Sequence, residues 1–199
     1  MRKLLTLLSL LPGLALGGGT PAVVLSFGGA TPLEFATWDS ATQSGSFTLS
    51  NGNLTHTFTG GGAFRSMRAT IGKSSGKWYW EITIDVGAVN TNHLYGFAAD
   101  TVSQTNYVGS SSNTYGWQNT NTNGGLTWTN ASPTINAGTY TAGDVLMFAL
   151  DMDNGKVWFG KNGTWIGSGD PAAGTNPRYS SVNVAQYPAV SEFNNGNSA

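Results

Sequence analysis

From Glu34 onward, apolar side chains recur at every second position in short runs, and no stretch sustains the spacing of an amphipathic helix. The clearest run is KWYWEITID. There Trp78, Trp80, Ile82 and Ile84 fall on one face, and Tyr79, Glu81, Thr83 and Asp85 on the other. A period of two sends the first set into a core and leaves the mixed second set solvated or partly covered. Clusters of Gly, Asn, Asp and Pro punctuate the runs. They bound expected strands at 35–38, 46–49, 54–58, 64–71, 78–85, 94–99, 115–118, 125–129, 145–152, 156–160, 164–166 and 187–191. Short strands without a helix predict an all-β sandwich or barrel.

Two of these strands meet in AGDVLMFALDMDNGKVWFGKNGTW, hinged on Asp153-Asn154-Gly155, a sequence that tolerates the positive φ of a tight hairpin. Phe148, Leu150 and Met152 share one face of the first arm, as do Val157 and Phe159 on the second. A calcium loop needs a Gly at its sixth position and a Glu at its twelfth. Counted from Asp151, Gly155 comes one place early and the twelfth residue is Asn162, so no metal is expected here.

The amino terminus breaks the alternation. MRKLLTLLSLLPGLALGGG carries Arg2 and Lys3, a leucine-rich run to Leu16, and small residues before Gly18. That order has the form of a cleaved secretory signal, and the run is too short to span a bilayer comfortably. The alternative is a retained apolar peg that docks into a partner. Residues 17–32, rich in Gly, Ala and Pro around an apolar patch at 22–27, read as a linker or short docking segment. The chain therefore divides into an amino-terminal segment, 1–33, and a β domain, 34–199.

At 199 residues the chain has length for one domain with a full core. Charged residues are 10% of it, against about 25% in an average soluble domain. The surface must then be largely Ser, Thr, Asn and Gly, which suits a β-rich protein outside the cytoplasm, extracellular or periplasmic. A net charge of −1 with scattered Lys and Arg leaves no row of cations for phosphates, so nucleic acid is not an expected partner. The lack of cysteine removes disulfides and thiolate chemistry. His56 and His93 lie far apart without ligand spacing, so each is expected to be an ordinary solvated or hydrogen-bonded side chain. No cofactor is expected.

The succession GKWYWEITI, YGFAAD, YGW, AGDVLMFALDMDNGKVWFGKNGTW and YPAVS resembles the SPRY domain over residues 38–193. Each motif alone is common, but five in this order are specific. The resemblance implies a bent, concanavalin-like antiparallel β-sandwich that is a non-catalytic protein-interaction module. In it the Trp-rich strand and the DNG hairpin belong to the frame, and variable rim loops bind. RSMRATIGKSSGKWYWEITI and GDPAAGTNPRYSSVNVAQYPAVS are similar to bacterial and bacteriophage versions, which implies a virion protein (tail, fibre or decoration) or a bacterial surface protein. After YPAVS the family runs into a further strand, whereas this sequence reads EFNNGNSA. Either that strand is missing, or 22–27 takes its place, or the chain is part of a longer protein. An open sheet edge or the amino-terminal segment would then offer an oligomer contact.

Enzyme alternatives find little purchase. A glycosidase needs two facing carboxylates, and Glu81 and Asp85, on one strand face, stand roughly 13–14 Å apart by strand geometry. No Ser, His and acid constellation accompanies Gly167-Ser168-Gly169, and Gly60-Gly61-Gly62 precedes a strand rather than a helix. Carbohydrate binding, by a lectin or a polysaccharide-acting enzyme, is the stronger rival to protein binding, because loop aromatics stack on sugars and amides bond them. The loops at 101–114, 119–124 and 167–184 carry the candidates: Asn106, Tyr107, Asn113, Asn119, Arg178 and Tyr179. The expected partner is a virion or cell-surface protein, or a surface glycan.

Overall fold

The computed structural model describes residues 4–9, by backbone alone, 35–86 and 92–193. In chain order the strands are β1 (Leu4–Ser9), β2 (Phe47–Ser50), β3 (Thr55–Phe58), β4 (Arg65–Arg68), β5 (Lys77–Thr83), β6 (Leu94–Ala98) and β7 (Thr114–Gln118). They continue with β8 (Leu126–Thr129), β9 (Ser132–Thr134), β10 (Val145–Asp151), β11 (Lys156–Lys161), β12 (Thr164–Trp165), β13 (Tyr179–Ser180) and β14 (Tyr187–Glu192). The first sheet runs β1-β5-β10-β11-β12, with β13 also on β11. The second runs β4-β14-β6-β7-β8-β9, and β2 and β3 form a separate ribbon. All pairs are antiparallel.

The expected alternation holds on the inner faces. Trp80, Ile82 and Ile84 are buried, and Trp78 is half-buried beneath the Lys73 ammonium, 4.0 Å from its ring centroid. From β10 and β11, Leu146, Phe148, Leu150, Val157 and Phe159 meet Tyr95, Phe97, Tyr115, Trp117 and Val190 of the second sheet. Phe97 is the centre of the contact: its ring lies 4.6 Å from that of Trp80, 5.4 Å from Phe159 and 5.8 Å from Phe148, edge to face in each case. Such pairs add about 0.5–1.5 kcal/mol each beyond the area they bury.

The DNG hairpin forms as expected, with Asp151 opposite Lys156. Its acids hold the turn and the neighbouring chain in place. Asp151 accepts from Asn154 N–H (3.0 Å) and Asn154 Nδ2 (2.9 Å), and Asp153 accepts from Gly76 N–H (2.8 Å). The outer faces are less open than a polar pattern suggests. Trp158, outward on β11, is 1% exposed because the 166–176 loop crosses it and takes its indole N–H at the Thr175 carbonyl (2.8 Å).

The expected strand at 35–38 is a single bridge, Trp38 to Ala69. Three strands were not legible. The two-residue β13 and the exposed Ser-Pro-Thr of β9 carry no apolar alternation. β1 falls in the leucine-rich run, where Leu4–Ser9 pair with Trp78–Ile82 and flank β5. The cleavage position before Gly18, the 22–27 patch, the 33/34 boundary and the end of EFNNGNSA lie outside the described residues.

Candidate functional site

The site begins with two glycines. On the outer face of the second sheet, a Cβ at Gly116 would stand 2.1 Å from the Val108 carbonyl oxygen. One at Gly109, where φ is +103°, would stand 2.4 Å from Trp128 Cβ. Their bare backbones let the 99–113 loop lie flat on the sheet. There Val108 packs on Ala98 and Ala189, and the loop closes on itself through Ala99 N–H to the Asn113 carbonyl (3.1 Å).

Ser66 and Ser191 fasten the loop. Ser191 Oγ accepts from Val108 N–H (2.7 Å) and is 2.8 Å from Ser66 Oγ, whose hydroxyl donates to the Asn106 carbonyl. Tyr107 is held at the loop crest, its ring 5.1 Å from Phe64 and 5.7 Å from Trp128. Phe193, just past β14, closes the other side, 5.0 Å from Phe64. These four aromatics wall a cavity of ≈ 210 Å³, with Leu94, Gln118 and Asn92 lining it as well.

The amides there are oriented. An indole N–H is only a donor, so the atom of Gln118 at 2.7 Å from Trp128 Nε1 is Oε1. Gln118 Nε2 then donates to Asn92 Oδ1 (2.7 Å). That leaves amide N–H groups of Gln118 and Asn92 in excess of these bonds. Burial pushes the Tyr107 phenol above its ordinary pKa, so it stays a neutral donor. The cavity thus presents apolar walls and neutral hydrogen-bonding groups, with no charged side chain among the described residues of its lining.

Of the six expected contact residues, Tyr107 lies in this cavity and Asn106 is exposed beside it. Asn113 closes the same loop through its carbonyl with φ +62°, a backbone role. Asn119 is corrected: it is 0% exposed, its Oδ1 accepts from Tyr140 N–H (3.1 Å), and a surface ligand does not reach it. Arg178 and Tyr179 are elsewhere. Arg178 donates to Thr127 Oγ1 (2.8 Å), Thr134 O (2.9 Å) and Ile135 O (2.7 Å), and Tyr179 OH donates to Thr127 Oγ1 (2.8 Å). Thr127 alternates with Trp128, so both lie against the opposite face of β8 and tie the two sheets together. Burial lowers the Arg178 pKa from its ordinary value.

Sequence reasoning missed Phe64, Asn92, Gln118, Trp128 and Phe193 as contact residues. Outward alternation with the core residue Trp117 and with Thr127 marked Gln118 and Trp128, but their convergence with Phe64 and Phe193 is tertiary. A second, more open depression of ≈ 260 Å³ is lined by Asn136, Lys161, Trp165 and Ile166 among others, but Lys161 is turned onto Thr139 O (2.6 Å) and Asp144 (3.3 Å). The carboxylate considered for sugar hydrolysis, Glu81, accepts from the Tyr79 hydroxyl. Among the described residues, no group of three or more His, Cys, Asp or Glu could hold a metal ion, and no helix is long and apolar enough to cross a membrane.

A family model described as the SPRY domain matches residues 77–195. The fold is similar to that of the SPRY domain of human HERC1, at 20% identity and a TM-score of 0.59, covering 80% of this chain and 91% of that one. It is also similar to the TRIM65 PSpry domain, at 15% identity and a TM-score of 0.61, covering 81% and 88%. None of the curated proteins matches the chain.

Proposed function

This chain belongs to the SPRY domain family, and from that premise we propose that it is a non-catalytic module that binds a short segment of another protein in the aromatic groove under Tyr107. The observation that carries the reading is the groove itself: Phe64, Tyr107, Trp128 and Phe193 around the oriented Gln118 and Asn92 amides. At ≈ 210 Å³ it is smaller than the roughly 300–1,000 Å³ of small-molecule sites. That size takes one or two side chains of a peptide, while the spare amide donors meet its carbonyls. Uncharged lining favours a neutral polar or apolar segment over a phosphorylated or strongly acidic one.

Display on a bacteriophage particle or bacterial surface belongs to the same proposal. Its support is compositional: few charges, no cysteine, and an apolar amino terminus. A surface glycan is the competing ligand, since the same aromatics and amides suit a sugar ring. Selection from a random peptide library and a glycan array, each repeated with Trp128→Ala, separates the two. Peptides captured by the native protein and lost with the variant support the reading, and glycan capture with no peptide overturns it. Intact-mass measurement of the secreted or particle-bound protein tests location: loss of residues 1–17 means secretion, and their retention means an assembly segment.

A further inference from the structure

Both histidines of the chain converge on one carboxylate. His56 Nε2, from β3, stands 2.9 Å from Glu192 Oε1, and His93 Nε2, from the turn before β6, stands 3.7 Å from Glu192 Oε2. Their side chains are 0%, 2% and 2% exposed for His56, His93 and Glu192. Tyr95 of β6 donates its hydroxyl to Glu192 Oε1 (3.3 Å). Around them, Trp38 and Phe47 set ring edges against His56, and Tyr140 bonds the His93 carbonyl (2.7 Å) and packs on Tyr95. Arg65, opposite Glu192 on β4, donates its guanidinium to the Phe64 carbonyl (2.9 Å).

The cluster lies directly behind the groove. Strand alternation puts Glu192 inward and Phe193 outward, and His93 sits between the groove residues Asn92 and Leu94. We propose that the His56–Glu192–His93 cluster is a proton-operated control on the groove, so that ligand binding is switched by mild acid. The proposal rests on the groove being the binding site.

Each imidazole that takes up a proton adds positive charge to a dry site, which is costly unless the charged group moves toward water or toward an opposite charge. Histidine is the side chain whose charge ordinarily changes at mildly acid pH, and every such side chain of this chain is in the cluster. Among its described residues the groove lining holds no carboxylate and no imidazole. A groove response to mild acid is therefore expected from behind. A shift of His93 or Glu192 is passed to the groove along the backbone, because Asn92, Leu94 and Phe193 are their chain neighbours.

The test follows the full chain by NMR from about pH 7.5 to about pH 5, reading the His56 and His93 ring C–H signals, the Trp128 indole N–H and the Val108 amide. Expected is a single transition shared by an imidazole and the Trp128 indole, with the rest of the spectrum in place. His93→Gln should remove the indole transition, and Glu192→Gln should displace it. If Glu192→Gln does not fold, His93→Gln carries the test alone. Three results overturn the proposal: a flat indole signal while an imidazole titrates, an indole transition that survives His93→Gln, or simultaneous loss of all signals, which would make the cluster a global stability element. No peptide is needed for this readout. Library peptides that bind at pH 7.5 with a flat indole sink the control alone. An indole that titrates in a protein binding no peptide sinks the binding reading alone. With both intact, a selected peptide should bind about tenfold more weakly per unit of pH below the transition.

Discussion

Trp128 donates its indole N–H to Gln118 Oε1 at 2.7 Å across neighbouring strands, and this bond decides which atoms the groove offers a ligand. Without it the Gln118 amide is free to flip and the Asn92 amide loses its fixed orientation. Trp128→Ala also removes a wall of the cavity, so it should weaken peptide binding by about 2 kcal/mol or more. Gln118→Leu, which keeps the wall, should cost about 1–3 kcal/mol through the lost polar floor. Calorimetric titration with a selected peptide measures both.

Gly116→Ala tests how the loop is seated. The added methyl meets the Val108 carbonyl oxygen at 2.1 Å, backbone that moves only if the 99–113 loop lifts. We expect about 1–3 kcal/mol of destabilisation, together with faster proteolytic cleavage within 99–113 and loss of peptide binding. Unchanged cleavage would show that the loop does not depend on this approach.

Arg178→Lys separates stability from recognition. Three guanidinium bonds tie the β13 segment to Thr127, Thr134 and Ile135, and lysine cannot reproduce that fork. Urea unfolding should show a loss of about 1–3 kcal/mol with peptide affinity unchanged. A selective loss of affinity would return Arg178 to the binding surface.

Asp151 gives a pH-dependent prediction. Burial works against its charge, but the Asn154 side chain, the Asn154 N–H and Lys77 together hold its carboxyl below the ordinary value of 3.8. A depressed folded-state value contributes stability that is present above the unfolded value and lost as pH falls through the folded one. Asp151→Asn should therefore cost about 1–2 kcal/mol near neutral pH. That gap should close as the native protein is titrated below pH 3.8. Denaturant midpoints across that range provide the check.

Phe97→Ala removes the ring that meets Trp80, Phe148 and Phe159 at once. The expected cost is about 3–5 kcal/mol, read as a lowered thermal midpoint.

What the sequence discloses follows from how local the physics is. The KWYWEITID alternation and the DNG turn are decided within a few residues, so the strands, the hairpin and the inward aromatics could be read directly. The groove could not. Phe64 and Phe193 come from opposite ends of the domain, and nothing near either one signals the other. Asn119 looked like a loop amide because its fate depends on Tyr140, 21 residues away. His56 and His93 looked isolated for the same reason: the carboxylate between them stands 136 residues beyond the first. Arg178 and Tyr179 are polar residues in a loop by sequence, and struts by contact.

The alternation of Glu192 and Phe193 has a further consequence. Because β14 lies between β4 and β6, its register is fixed on both sides, and its two faces hold incompatible chemistry. Many single replacements along it leave each face recognisable. Inserting or deleting one residue in β14 would exchange the faces, driving an aromatic toward the histidines and a carboxylate into the groove. Length is therefore the property of this strand under the tightest constraint, and natural variation in recognition is expected to accumulate by insertion in the 99–113 loop instead.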